Sequence, residues 1–80
     1  MSKSFLSRKE KAMNRKAVDS SNLRSVGYES GTLEIAFHGG RVYQYYNVPE
    51  HIYHGLMRAD SKGKYHHQHI KSCYGYKRIA

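Results

Sequence analysis

Hydrophobic and polar residues alternate strictly along residues 32–37, and this stretch is the clearest sign of a strand in the chain. One face of it carries Leu33, Ile35 and Phe37, as expected for a strand with one buried face. Residues 23–28 and 41–47 are predicted as flanking strands, because Ser30-Gly31 and Gly39-Gly40 are tight-turn sequences. Three strands joined by such short turns predict an antiparallel β-meander.

The second of these turns decides which face of the sheet Tyr43 and Tyr45 occupy. A two-residue turn places both rings on the face opposite Ile35, where they form a stacking surface. A three-residue loop with a glycine bulge shifts the pairing by one residue and brings both rings to the apolar face, with Tyr43 beside Ile35. We favour this second register, because it gives the apolar face large partners and directs Gln44 towards Glu34 and solvent. Tyr43 and Tyr45 are therefore predicted to be mainly structural.

The chain after the meander is predicted to be helical. Pro49 is favoured in the first turn of a helix, and Glu50 suits the positive end of the helix dipole. The apolar residues that follow have helical spacing and make one broad face, formed by Ile52, Tyr53, Leu56, Met57 and Ala59. This face is predicted to cover the sheet.

A second, shorter helix is predicted after the first. Asp60 or Ser61 can cap it, and the helix is expected to run to about Lys71. Gly63 weakens it by about 1 kcal/mol relative to alanine. Residues 74–80 are predicted to be extended.

Residues 1–17 are more basic than the rest of the chain. Residues 1–16 hold six Lys or Arg and one Glu, and so contribute +5 of the formal net charge of +8. Ser7 and Glu10 match a capping box, and Ala12, Met13 and Ala17 form a weak apolar stripe. The predicted organisation is a short basic N-terminal helix or arm over residues 1–17 and one domain over residues 18–80. The predicted fold class is α+β: a three-stranded antiparallel β-meander packed against one or two C-terminal helices.

Composition then narrows the choice of partner. The chain has eight tyrosines, two phenylalanines and no tryptophan, together with 14 Lys or Arg and 6 His. An excess of positive charge favours an acidic partner such as a nucleic acid. The single Cys73 excludes an intramolecular disulfide and fits a reducing compartment. Because no apolar run is long enough for a membrane span or a signal peptide, we predict a cytoplasmic protein with no membrane partner.

An ordered series of short motifs resembles the KTSC domain family, which takes its name from the C-terminal end of some lysyl-tRNA synthetases and includes small free-standing bacterial proteins. The matching segments are Ser21-Asn22-Leu23, Gly27-Tyr28, Gly31-Thr32-Leu33, Val42-Tyr43-Gln44-Tyr45, Val48-Pro49, residues 59–65, His69-Ile70 and Tyr74-Gly75-Tyr76. The resemblance covers about residues 18–79. It places Tyr43 and Tyr45 at the central tyrosine pair of the family, and Ser61, Gly63, Tyr65 and His69 at its second motif. The resemblance implies no established activity, and the synthetase attachment suggests RNA.

The predicted function is a non-enzymatic nucleic-acid-binding module, with RNA favoured over DNA as the partner. Aromatic rings stack on bases and cations neutralise phosphates. The predicted binding residues concentrate in a basic, aromatic C-terminal quarter: Arg24, Arg41, Lys62, Lys64, Tyr65, Lys71, Tyr74, Tyr76, Lys77 and Arg78. The alternative prediction is a protein-interaction or oligomerisation module that uses apolar surface such as Val42 and Tyr46. The oligomeric state is left open.

Catalytic and metal sites receive little support from the sequence. His66, His69 and Cys73 would lie on one side of a continuous helix, but a structural zinc site needs four ligands. The simpler hypothesis is that these histidines face solvent and titrate at the ordinary histidine pKa of about 6.5. No phosphate-binding loop, nucleophile elbow or cofactor motif is present. A metal-free nuclease that uses His with Lys or Tyr is the remaining enzymatic hypothesis.

Overall fold

The computed structural model describes residues 13–80, which form one antiparallel sheet and two helices. The elements in chain order are β1 (Lys16–Ala17), β2 (Leu23–Glu29), β3 (Thr32–Phe37), β4 (Val42–Tyr45), α1 (Glu50–Arg58), α2 (Lys62–His69) and β5 (Tyr76–Arg78). The five strands are neighbours in the same order as in the sequence. The α+β class is therefore confirmed, but the sheet has five strands rather than three.

The predicted meander forms the middle of this sheet, and its two additional strands form the edges. β5 pairs with β4, with Tyr45 opposite Tyr76, so the predicted extended tail is a strand. The helices consequently lie between β4 and β5 in the chain and do not end it. A three-residue strand with every residue exposed has no hydrophobic alternation from which it could have been predicted.

The N-terminal helix prediction is only partly within the described residues. Its capping box, Ser7 with Glu10, lies outside them. At the other end of the predicted segment the prediction is wrong, because Lys16–Ala17 is a strand that pairs with Val26 and Ser25 of β2. We call residues 13–17 the strap. It packs closely on β2, since a Cβ atom at Gly27 would lie 2.6 Å from the backbone carbonyl oxygen of Asn14.

The register of β3 and β4 is the bulged one that the sequence favours. Ile35 is opposite Tyr43, and Leu33 is opposite Tyr45. The turn between the strands contains Gly39 and Gly40 with φ of 101° and 94°, backbone values that residues other than glycine rarely adopt. Both tyrosines therefore lie on the face of the sheet that the helices cover.

The hydrophobic core lies between this face of the sheet and the helices. Its buried residues are Leu23, Val26, Leu33, Ile35, Tyr45, Val48, Leu56 and Ile70. The ring of Tyr28 stacks on Tyr53 of α1, with centroids 5.1 Å apart, and its hydroxyl donates to the Val48 carbonyl. Tyr28 and Tyr53 are thus packing residues, as the sequence predicts for Tyr53.

Local capping and close packing position the second helix. Ser61 is its N-cap and accepts a hydrogen bond from the Lys64 amide, which settles the choice between Asp60 and Ser61. The hydroxyl of Tyr65 lies against Gly55 of α1, 2.1 Å from where a Cβ atom would be. A glycine at position 55 therefore lets the two helices approach each other.

The opposite face of the sheet carries a buried polar network. Gln44 faces Glu34 as predicted, but Glu34 is only 2 % exposed, so the prediction that this pair faces solvent is wrong. Arg15 of the strap forms a salt bridge with Glu34, and the Gln44 amide donates to the other carboxylate oxygen at 2.8 Å. Tyr46 in turn donates to Gln44 at 3.0 Å. The strap covers this face and supplies the counter-charge that a buried carboxylate requires.

Candidate functional site

A pocket of about 650 Å³ opens on the helix-covered face of the sheet. Residues of β3, β4 and β5 line one side, and α2 with the turn after it lines the other. The pocket lies where β4 and β5 bring the C-terminal tail beside α2. It thus joins the two parts of the chain in which the sequence concentrates tyrosine and positive charge.

Besides Leu23, the apolar part of the pocket consists of five aromatic rings: Phe37, Tyr43, Tyr45, Tyr74 and Tyr76. Tyr43 meets Phe37 edge to face at 5.9 Å. The Tyr76 ring lies 5.8 Å from both Tyr43 and Tyr45. Of the pocket rings, Tyr76 is the most open to solvent, at 59 % exposed, whereas Tyr45 is 3 % exposed.

A hydrogen bond between Tyr45 and His66 forms the floor of the pocket. The Tyr45 hydroxyl and His66 Nε2 are 2.8 Å apart, and the His66 ring meets Tyr45 and Phe37 edge to face. Burial raises the pKa of Tyr45 to about 12, assisted by Tyr43 and Tyr76. Burial, followed by the charges of Lys71 and His67, lowers the pKa of His66 to about 4. Both groups are therefore neutral at pH 7, and the prediction of a solvent-facing histidine run is wrong for His66.

The polar part of the pocket is basic and rich in hydrogen-bonding groups. Its residues are Asn22, Arg41, His66, His67, Lys71 and Ser72, and the described lining contains no Asp or Glu. The Arg41 guanidinium carbon lies 5.7 Å from the centre of the Phe37 ring, within the range of a cation–π contact. The arrangement can hold an anion next to an aromatic surface.

The structure brings four of the predicted binding residues into this pocket: Arg41, Lys71, Tyr74 and Tyr76. Arg78 is close to it, because it pairs with Tyr43, whereas Lys77 pairs with Gln44. Alternation along a strand then puts Tyr76 and Arg78 on the pocket face and Lys77 on the opposite face. The C-terminal tail is therefore basic on both sides, but only one side adjoins the pocket.

The remaining predicted residues lie elsewhere. Tyr65 packs on Gly55 and against His69, with ring centroids 4.5 Å apart. The Lys62 amine donates to the Ala59 carbonyl. Lys64 is exposed on α2, and Arg24 is exposed at the register shift in β2. The structure does not place these four residues in the pocket.

Several pocket residues lie outside the predicted binding set, and His66, Asn22 and Ser72 are among them. His66 was assigned to the solvent, although its spacing of four residues from the buried Ile70 puts both on one side of α2. That spacing is a usable signal. Asn22 and Ser72 lie in short connections without periodicity, and only the tertiary structure brings them to the pocket.

The structure also bears on the metal and protein-interaction hypotheses. Within residues 13–80, no three His, Cys, Asp or Glu side chains lie close enough together to hold a metal ion, and α2 ends at His69, before Cys73. Tyr46 is half-buried and hydrogen-bonded to Gln44, and Val42 is also partly covered. The helices within residues 13–80 lack the length and the apolar character of a membrane-spanning segment.

Comparison with known proteins identifies the family. The KTSC domain model matches residues 19–74, so the chain belongs to the KTSC domain family. The crystal structure of a KTSC domain protein from Yersinia pestis is similar, with a TM-score of 0.79 and 39% identity, covering 86% of this chain and 100% of the other.

Relatives of two sizes match the same part of the chain. An uncharacterized protein from Stutzerimonas stutzeri is 43% identical over 61 residues, which is 74% of this chain and 86% of the relative. A lysine–tRNA ligase from Trichormus variabilis is 36% identical over 64 residues, which is 78% of this chain but only 11% of the ligase. The domain therefore occurs in a small bacterial protein and as a short part of a much larger enzyme.

Proposed function

We propose that this domain is a non-enzymatic nucleic-acid-binding module with a preference for RNA. The observation that carries the proposal is the pocket, which combines five aromatic rings with Arg41 and Lys71. Rings stack on bases, and cations bind phosphates. The formal net charge of +8 adds long-range attraction for a polyanion.

The preference for RNA rests on the lysine–tRNA ligase relative. A ligase of this name acts on a tRNA. Because that ligase contains a similar domain, RNA is the partner that we propose here as well. Single-stranded RNA regions are commonly recognised by stacking unpaired bases on aromatic side chains. The exposed Tyr76 ring, which lines the same pocket as Arg41 and Lys71, supports this mode of binding.

The test is a gel-shift series with short single- and double-stranded RNA and DNA at two salt concentrations. We expect salt-sensitive binding that weakens in Arg41→Ala and in Lys71→Ala. Lys77→Ala is the matched control, because it removes the same charge from the opposite sheet face. Unchanged mobility of every probe at low salt would refute the proposal.

The same samples test the proposal that the domain is not an enzyme. We expect labelled RNA and DNA to stay intact during incubation with the purified protein, with or without EDTA. Cleavage that disappears in His69→Ala would instead favour the metal-free nuclease.

A second proposal, a protein-interaction or oligomerisation module, is supported by the free edge of β5. Within the described sheet, β5 has only β4 as a neighbour, and Ile79 beside it is 45% exposed. An open strand edge can add a strand from a partner. Light scattering that shows a dimer, dissociated by Ile79→Lys, would favour this second function; a monomer at all concentrations would count against self-association.

A further inference from the structure

We propose, on the basis of the proposed nucleic-acid function, that the pocket receives one unpaired nucleotide. The base would stack on Tyr76, and the phosphate would bind Arg41 and Lys71. The chemical unit recognised is a nucleoside monophosphate, either free or as one unit of a single strand.

The size of the pocket suits a single nucleotide better than a duplex. Its volume is about 650 Å³, within the range of about 300–1,000 Å³ that is typical of small-molecule sites. A duplex keeps its bases stacked inside and presents its backbone, whereas a single strand can turn a base outward. Of these two forms, the unpaired nucleotide is the one that can place its base and its phosphate in the same cavity.

The rings of the pocket differ in their availability for stacking. Tyr45 is 3 % exposed and bonded to His66, so it forms the floor. Tyr43 is held edge to face by Phe37. Tyr76, which is 59 % exposed, therefore offers the ring face that a base can reach. The Tyr43 ring of the adjacent strand packs against Tyr76, with centroids 5.8 Å apart.

The polar groups complete the site. Arg41 lies just before β4 and Lys71 just after α2, and both line the pocket. A guanidinium can bind a phosphate through two parallel hydrogen bonds. Asn22 and Ser72 also line the pocket and supply the donors and acceptors that the edge of a base requires.

The experiment measures fluorescence anisotropy of a labelled single strand of about six nucleotides. Competitors are an unlabelled duplex of the same sequence, free AMP and UMP, and inorganic phosphate. We expect the duplex to compete poorly, and the nucleotides to compete better than phosphate. Tyr76→Leu should weaken single-strand binding by about tenfold, whereas Tyr76→Phe, which keeps the ring, should bind like the wild type.

Tyr46→Leu is the control, since it removes a tyrosine on the polar-network side of the sheet and should leave binding unchanged. Amide NMR spectra confirm that each variant is folded. If single strand and duplex bind equally and Tyr76→Leu has no effect while Lys71→Ala does, the inference fails but nucleic-acid binding stands. If free nucleotides shift the pocket amides but no oligonucleotide binds, the nucleotide site stands and the proposed function fails.

Discussion

Burial sets the protonation of the two residues that form the pocket floor, Tyr45 and His66. A phenol and an imidazole withdrawn from water favour their neutral forms, and the two are joined by a hydrogen bond of 2.8 Å. Each is thereby fixed in position beneath the more exposed rings. The pair is a structural floor, and it also couples stability to pH.

Removing the Tyr45 hydroxyl should cost stability. In Tyr45→Phe the His66 nitrogen loses its partner in a partly buried site, and we expect a loss of about 0.5–1.5 kcal/mol in the free energy of unfolding. Urea denaturation measures it. Tyr76→Phe is the control, because that residue is largely exposed; an equal loss in both variants would contradict the role assigned to the Tyr45–His66 bond.

Stability should fall as the pH falls from 6.5 towards about 4, the two pKa values of His66 in the unfolded and folded states. In this window His66 is protonated in the unfolded chain but neutral in the folded chain, so acidification favours unfolding. Above pH 6.5 the residue is neutral in both states, and this contribution to the pH dependence disappears. Urea midpoints measured across the window should change less with pH in His66→Gln than in the wild type. Identical pH profiles for the two proteins would contradict the lowered pKa of His66.

At the scale of elements, the strap explains why a buried carboxylate is tolerated in a thin domain. Arg15 neutralises Glu34, and the strap pairs with β2. The strap can lie this close because Gly27 has no side chain. One β2 glycine and one strap arginine therefore close the face of the sheet that the helices leave open.

Arg15→Ala should destabilise the domain by about 1–3 kcal/mol, because it leaves the Glu34 carboxylate buried without its charged partner. Replacing Glu34 by Gln in the same chain should recover part of that loss, since the uncompensated charge is removed. Chemical denaturation of the two single variants and the double variant gives the coupling energy. Strictly additive losses would mean that the pair does not interact.

Gly27→Ala tests the strap by sterics instead of charge. The added methyl would lie 2.6 Å from the Asn14 carbonyl oxygen, so the strap must move away or the sheet must shift. We expect a loss of about 1–3 kcal/mol and faster amide exchange at Lys16 and Ala17. Gly75→Ala is the control, because a Cβ there meets nothing within 4 Å.

These elements also show what local sequence patterns can predict. Strict alternation predicted β3, and the large partners that the bulged register gives its apolar face favoured the register that is observed. The strand in the strap was not predicted, and β5 was predicted only as an extended tail, because each is a short strand that forms by pairing with a distant partner. Helical spacing revealed the apolar face of α1. The pocket could not be predicted because α2 and the tail, which are separate in the sequence, both line it, and no local pattern contains that arrangement.

At the scale of the whole molecule, the two faces of the sheet have different roles. The strap closes one face around Glu34, while the other face carries the core and the aromatic pocket. Positive charge lies on both sides of the C-terminal tail, since Lys77 and Arg78 point in opposite directions. Charge count alone therefore does not identify the binding face, whereas the position of each charge relative to the pocket does.

The salt dependence of binding should distinguish these two faces. A cation that contacts a phosphate of a single strand releases counterions, and losing one such contact reduces the slope of log affinity against log salt by about 0.7. We expect this change in Lys71→Ala and in Arg41→Ala, which line the pocket. Lys77→Ala removes the same charge from the other face and should leave the slope unchanged. If all three variants lower the slope equally, binding follows the overall charge of the domain and the pocket does not direct it.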